Sequence, residues 1–179
     1  MQNFPYLEQK NGGWVWNFPK SLNMATQVCD FWEINSPEKI CIKDFTDVDL
    51  PLLYSYKDLR KFSDSLAFEL RNRGVGKGDR VGVLLSQEIG CAASHIAIWK
   101  LGAISIPLFK LFGPEALATR LNDANAKYTI TDDEGSENLL PPEFDRLIFN
   151  NIVLKNDAFQ TCVTSPESPA VLILSLIHI

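Results

Sequence analysis

Residues 98–117 read IWKLGAISIPLFKLFGPEAL, and their order decides the fold. The first four close a helix that begins near Glu88, in EIGCAASHIAIWKL, whose apolar residues occupy so much of its girth that the helix is expected to be largely enclosed. Gly102 ends it, because glycine enters the left-handed region without steric cost. AISIPL then predicts a strand and FKLFG a loop. Pro114 opens a second helix reaching about Asn122, since proline's missing N–H is unneeded in a first turn.

Outward from this phrase the pattern continues. VGVLL at 81–85 is a buried strand before the first helix, and KYTITD at 127–132 is a strand after the second. Strand, helix, strand, helix, strand predicts an α/β fold, a mostly parallel sheet covered by helices on both faces with right-handed crossovers. Upstream, Ser55 is placed to cap a helix over Tyr56 to Arg73. Leu59, Phe62, Leu66 and Leu70 make its apolar stripe, and Lys57, Asp58, Arg60, Lys61, Asp64, Glu69 and Arg71 lie mostly off it. ICIKDF and LLYSY read as short strands around the loop TDVDLP. Earlier still, Asn23 caps a helix from Met24 to Ile34 with Val28, Phe31 and Trp32 on one face, and Trp14 and Trp16 are expected to be packing anchors. Beyond Asp132, DEGSENLLPPEFD is an acidic loop, RLIFNN a further strand, and KNDAFQTCVTSPESP a surface excursion.

The 179 residues are 46% apolar, enough for a sizeable core, with a net charge of −5. Cations scattered among acids offer no field for a polyphosphate backbone, so nucleic acid is excluded as a partner. MQNFPYLEQK has neither a basic nor an apolar signal region, and a cytoplasmic setting is expected. Cys29, Cys41, Cys91 and Cys162 lack metal-ligand spacing and read as reduced, mostly buried thiols. The closing AVLILSLIHI is far shorter than the about 20 apolar residues of a membrane-spanning helix. It reads as a buried strand.

GVGKGDR at 74–80 has the glycines and lysine of a phosphate loop, but it follows a helix and opens a strand, the reverse of what a phosphate loop does. Gly74, Gly76 and Gly78 are therefore read as turn residues, and Lys77 and Asp79 as solvated loop charges. His95 stands alone in an apolar helix and reads as a core or boundary residue. Asp132, Asp133 and Glu134 follow a strand, where open α/β sheets bind ligands, but the preferred reading is a solvated acidic loop, because like-charged neighbours in water need no functional reason. No nucleophile elbow or Ser/His/Asp set can be assembled.

Taken together, YSYKDLRKFSDSLAFELRNRGVGKGDRVGVLLSQ, HIAIWKLGAISIPLF, LFGPEALATRLNDANAKYTITDDEG and SPAVLIL resemble, in order, the amino-terminal part of the adenylate-forming ligases, most closely the acyl-coenzyme A synthetase branch. The resemblance runs from about Asn17 to Leu174. It implies an ATP-dependent acid–CoA ligase of fatty acid metabolism, with ATP, Mg2+ and coenzyme A as cofactors and a small carboxylic acid of short or medium length as substrate. In that family the strand matching AVLIL is followed by a Ser/Thr/Gly-rich loop around the ATP phosphates, whereas here SLIHI follows. The resemblance therefore implies that residues 1–179 are a partial amino-terminal domain, truncated near 175, with 175–179 a non-native tail. All the family's catalytic and nucleotide-binding motifs would lie downstream, so no catalytic, cofactor-binding or metal residue is assigned. Where acetate-activating relatives place arginines for the coenzyme A phosphates, this chain has Ser136, Glu137 and Asn138. The expectation is an inactive fragment that binds no cofactor itself and associates through exposed apolar surface. The alternatives are a non-catalytic α/β binding or interaction module, or another adenylate-forming branch.

Overall fold

The computed structural model describes residues 4–47 and 49–174. At its centre a four-stranded parallel sheet carries β5 (Arg80–Leu84), β6 (Ile104–Pro107), β7 (Tyr128–Thr131) and β8 (Arg146–Ile148), in the spatial order β6-β5-β7-β8. Two antiparallel hairpins precede it, β1 (Tyr6–Lys10) with β2 (Gly13–Asn17) and β3 (Ile40–Asp44) with β4 (Leu52–Ser55). The helices are α1 (Phe31–Asn35), α2 (Tyr56–Asn72), α3 (Ile89–Lys100) and α4 (Pro114–Asp123).

Strand alternation explains why the sheet needs cover on both sides. Val81 and Val83 of β5 and Ile130 of β7 enter the core under α2 and α3, while Leu84 and Ile106 meet Leu117 and Leu121 of α4 on the other face. Gly82 sits on that second face. A Cβ there would meet Leu108 Cδ1 and Thr129 Oγ1 at 3.0 Å and Leu121 Cδ2 at 3.1 Å, so a larger residue would push these side chains back, and glycine lets α4 and the β6 loop approach closely.

The α2 stripe behaves as its spacing predicts, with Leu59, Leu66 and Leu70 buried and Phe62 half-buried against Phe149. Ser55 accepts from the Asp58 N–H at 3.2 Å, and Asp58 Oδ2 accepts the Ser55 N–H at 2.9 Å, a complete capping box. Gly74 and Gly102 follow their helices with φ of +80° and +68°. α3 is enclosed: Ala93, Ile96, Ala97 and Ile98 are all buried.

Four expectations need correction. Trp14 and Trp16 are not packing anchors, being 69% and 56% exposed on the first hairpin. The segment from Met24 begins as a helix, and Asn23 Oδ1 does accept the Ala25 N–H at 2.8 Å, but Thr26–Asp30 widens into a π-turn closed by the Phe31 N–H on Thr26 O. Ala25 and Cys29, four residues apart, face the core while Val28 is exposed. Asp64 lies inside rather than off the buried surface of α2, at 3% exposure. The 155–169 stretch has no regular structure, yet it is no free excursion: Phe159 is buried, and Cys162 N–H donates to Lys100 O at 2.7 Å.

The expected closing strand is present as one parallel bridge, Val171 opposite Ser105, on the outer edge of β6. Ser105 N–H donates to Ala170 O and Leu172 N–H donates to Ser105 O, both at 2.9 Å. The proposed tail at 175–179, with His178, lies outside the described residues.

Candidate functional site

In an open parallel sheet ligands gather beyond the carboxyl ends of the strands, where successive loops leave a crevice. Here the loops after β5, β6, β7 and β8 surround a cavity of about 380 Å³, lined by Ser86, Glu88, Lys110, Asp132, Glu134 and Asn150 among others. Asp132, Asp133 and Glu134 do stand at this edge, Asp133 and Glu134 exposed, and two of the three are paired. Lys110 Nζ lies 2.5 Å from Asp132 Oδ2 and 2.8 Å from Glu134 Oε2, and Asp132 Oδ1 accepts the Gly135 N–H at 2.8 Å. Burial works against the Lys110 ammonium, and the two carboxylates outweigh it, so its pKa rises. Among the described residues, the one cation lining this cavity is thus already paired.

Ser136, Glu137 and Asn138 lie on the π-turn Gly135–Leu139 beside the same edge. Glu137 and Asn138 are exposed, and the Ser136 carbonyl accepts from Arg146 Nη1 at 2.8 Å. Arg146 also donates to the carbonyls of Pro141 and Phe144, so its guanidinium holds the 135–145 loop together and is fully engaged. An edge of carboxylates with its cations occupied repels phosphates. The described residues here do not fit ATP or coenzyme A phosphates. Nor do any three His, Cys, Asp or Glu among the described residues make a metal site.

The glycine-rich loop lies at the opposite, amino-terminal edge of the sheet, joining α2 to β5. Gly74 and Gly78 adopt positive φ, as turn residues do. Asp79 is more than a solvated charge: its Oδ2 accepts the Gly76 N–H at 2.9 Å and pairs with Lys127 Nζ at 3.0 Å. Burial opposes ionisation of this carboxyl, but the two bonds prevail and hold it below its ordinary range. His95 is half-buried 5.9 Å from the Trp99 ring, and burial lowers its pKa. It faces no catalytic partner. All four cysteines are free thiols, but only Cys29 is buried outright, the other three being half-buried; burial pushes the Cys29 thiol up to about 12.

The densest charged cluster was not visible as a site in the sequence. Lys100 is wholly buried and its ammonium is bonded to Asp30 and, at 2.7 Å, to Asp64. Arg60 joins Asp64 to Glu33, and Thr161 Oγ1 donates to Asp30 Oδ2 at 2.6 Å. The available signal was a lysine inside an otherwise apolar helix, since an interior ammonium demands carboxylate partners. Those partners sit 70 and 36 residues away in sequence, which periodicity cannot reveal. The cluster ties α3 to α2 and to the residues before α1, and its outer members Glu33, Arg60 and Asp64 line a cavity of about 340 Å³ together with Lys57, Lys61 and Lys155.

The sequence profile described as AMP-binding enzyme matches residues 33–171. The chain belongs to this family. Among the relatives of this AMP-binding family member, the acetyl-coenzyme A synthetase of Coprinopsis cinerea is 35% identical over 130 residues, covering 70% of this chain and 19% of that protein. The acetyl-coenzyme A synthetase of Halorhodospira halophila is 42% identical over 116 residues, or 64% of this chain and 18% of that one. The fold matches the crystal structure of Brucella canis acyl-CoA synthetase with a TM-score of 0.71 at 20% identity, over 86% of this chain and 31% of that chain. The AMP-binding chain thus spans about a fifth of the length of the relatives it matches. Among the described residues, no helix is long and apolar enough to cross a membrane.

Proposed function

We propose that these residues are the amino-terminal portion of a cytoplasmic, ATP-dependent acid–CoA ligase acting on a short or medium acyl group, and that alone they are scaffold without ligase activity. Supporting this is the unbroken family match from 33 to 171, set against a span of about a fifth of the acetyl-coenzyme A synthetases. The complete enzyme would join the acid to AMP with release of pyrophosphate, then pass the acyl group to coenzyme A with release of AMP. That chemistry demands cations and N–H donors around phosphoryl oxygens. The acidic strand edge described above supplies none to spare, so no step is assigned to any residue of this chain. ATP, Mg2+ and coenzyme A belong, on this reading, to the longer polypeptide, and the residues after about 175 depart from it.

The test is carboxylate-dependent exchange of pyrophosphate into ATP, run on this chain and on the polypeptide extended to the length of its relatives, with a panel of acids. Exchange is expected only in the extended protein and with short or medium acids. A folded extended chain that exchanges with no acid at all removes the ligase reading in favour of a non-catalytic module.

A further inference from the structure

We propose that Trp99 is a positioning residue: its indole N–H fixes the register of the strand beginning at Ala170 and so sets where the polypeptide beyond it meets the carboxyl edge of the sheet. The functional half of this statement rests on the ligase reading above. The structural half stands on the hydrogen bonds at one carbonyl. Ala170 O accepts the Ser105 N–H at 2.9 Å, the Trp99 Nε1–H at 2.8 Å and the Ser105 hydroxyl at 3.3 Å. Beyond it, the only sheet bond of this strand among the described residues is Leu172 N–H to Ser105 O. An edge strand with so short a ladder is free to slip, and a slip of one residue exchanges its inward and outward side chains. Leu172 and Leu174 pack on the α4-side core while Ile173 is 79% exposed, so the register has a definite correct value.

Trp99 is itself held. Asn23 Nδ2 donates to Trp99 O at 2.8 Å and to Cys162 O at 2.9 Å, bridging the end of α3 to the returning segment. Cys162 N–H donates to Lys100 O, and Thr164 and Leu22 exchange a pair of bonds, the Thr164 hydroxyl and the Leu22 N–H each donating to the other's carbonyl. The segment arriving at Ala170 is therefore fastened along its length without regular secondary structure, and the indole makes the last side-chain fastening from outside the sheet. Because the bridge to β6 is parallel, the strand points toward the same edge as the cavity beside Lys110.

Two variants test it: Trp99→Phe, and 3-benzothienylalanine at 99, which exchanges only the indole N–H for sulfur and so spares the fold if phenylalanine does not. In this chain, hydrogen exchange at the Leu172 and Ser105 amides is expected to quicken roughly fivefold, the effect of one lost hydrogen bond, with the Val83 amide of the inner sheet unchanged. In the extended ligase, KM for Mg-ATP is expected to rise by about the same factor, with KM for the acid and the melting midpoint held. Unchanged exchange at Leu172 overturns the proposal. So does faster exchange with an unaltered KM for ATP, which would make the bond a structural fastening alone. Wild-type extended protein inactive toward every acid defeats the ligase reading and the positioning role with it, whereas the first two failures leave that reading intact.

Discussion

Helix α3 and the first hairpin are both rich in apolar and aromatic side chains, yet one is enclosed and the other open. α3 lies between α2 and the sheet with Ala93, Ile96, Ala97 and Ile98 buried. The hairpin pairs Leu7 with Trp16 and Gln9 with Trp14, which puts Leu7, Trp14 and Trp16 on one face, and all three are exposed. Its other face is mixed, with Tyr6 and Val15 exposed beside Glu8, which accepts from Asn17 and pairs with Lys10. The difference teaches that apolar sequence states a demand for cover, and that the cover comes from elsewhere in space. α3 finds α2 by a short connection through β5, whereas the hairpin's aromatic face has Phe18 stacked on Trp16, 6.1 Å between ring centroids, and still leaves Leu7, Trp14 and Trp16 exposed.

The contrast can be broken most forcefully at Lys100. Lys100→Ala leaves Asp30 and Asp64 buried without their ammonium, and urea unfolding should show a loss of about 3–5 kcal/mol. A loss under about 1 kcal/mol would mean that water enters the cluster and that α3 is less sealed than described. Next comes the α2 side of the same contact. Leu66→Ala, at a wholly buried position, should cost about 2–5 kcal/mol in the same measurement.

The cap of α2 gives a smaller, pH-dependent effect. Ser55→Ala should cost about 1 kcal/mol at neutral pH. The Ser55 hydroxyl, then its backbone N–H, hold the Asp58 carboxyl below its ordinary range, so this stabilisation is complete above the unfolded value of about 4 and fades as pH falls through the folded one. The gap between the wild-type and variant denaturation midpoints should therefore narrow in acid, leaving the part due to the Asp58 N–H on the Ser55 hydroxyl, and be widest above it. Smallest is the hairpin: Trp14→Ser and Trp16→Ser should each shift the stability of this chain by no more than about 0.5 kcal/mol. A larger loss in the extended polypeptide, absent here, would show that the missing cover is supplied by the longer protein.

Most of the layer structure could be read locally. The Ser55 cap, the leucines of α2, the glycines after α2 and α3, and Pro114 at the start of α4 each act within a turn or two of themselves, and alternation of strand and helix then forces a parallel sheet. What escaped reading depends on distance. The π-turn at Thr26–Asp30 leaves no mark in the apolar pattern, and the buried face there carries Ala25 and Cys29 rather than Val28. The exposure of Trp14 and Trp16 depends on what lies above them. The fastening of 155–170 is made by side chains reaching backbone carbonyls, a pattern without periodicity. At the candidate site, the position of Asp132, Asp133 and Glu134 at the strand ends was legible, but the pairing of Asp132 and Glu134 with Lys110 was not, because it closes across two different loops.

The sealing of Lys100 has a consequence for chemistry done on the protein. Its side chain is 0% exposed, so amine-acylating reagents that mark the surface lysines reach it only while α2 and α3 stand apart. The rate at which an acyl mark accumulates at that one position therefore counts the openings of the protein's interior, read by mass spectrometry on an otherwise native sample.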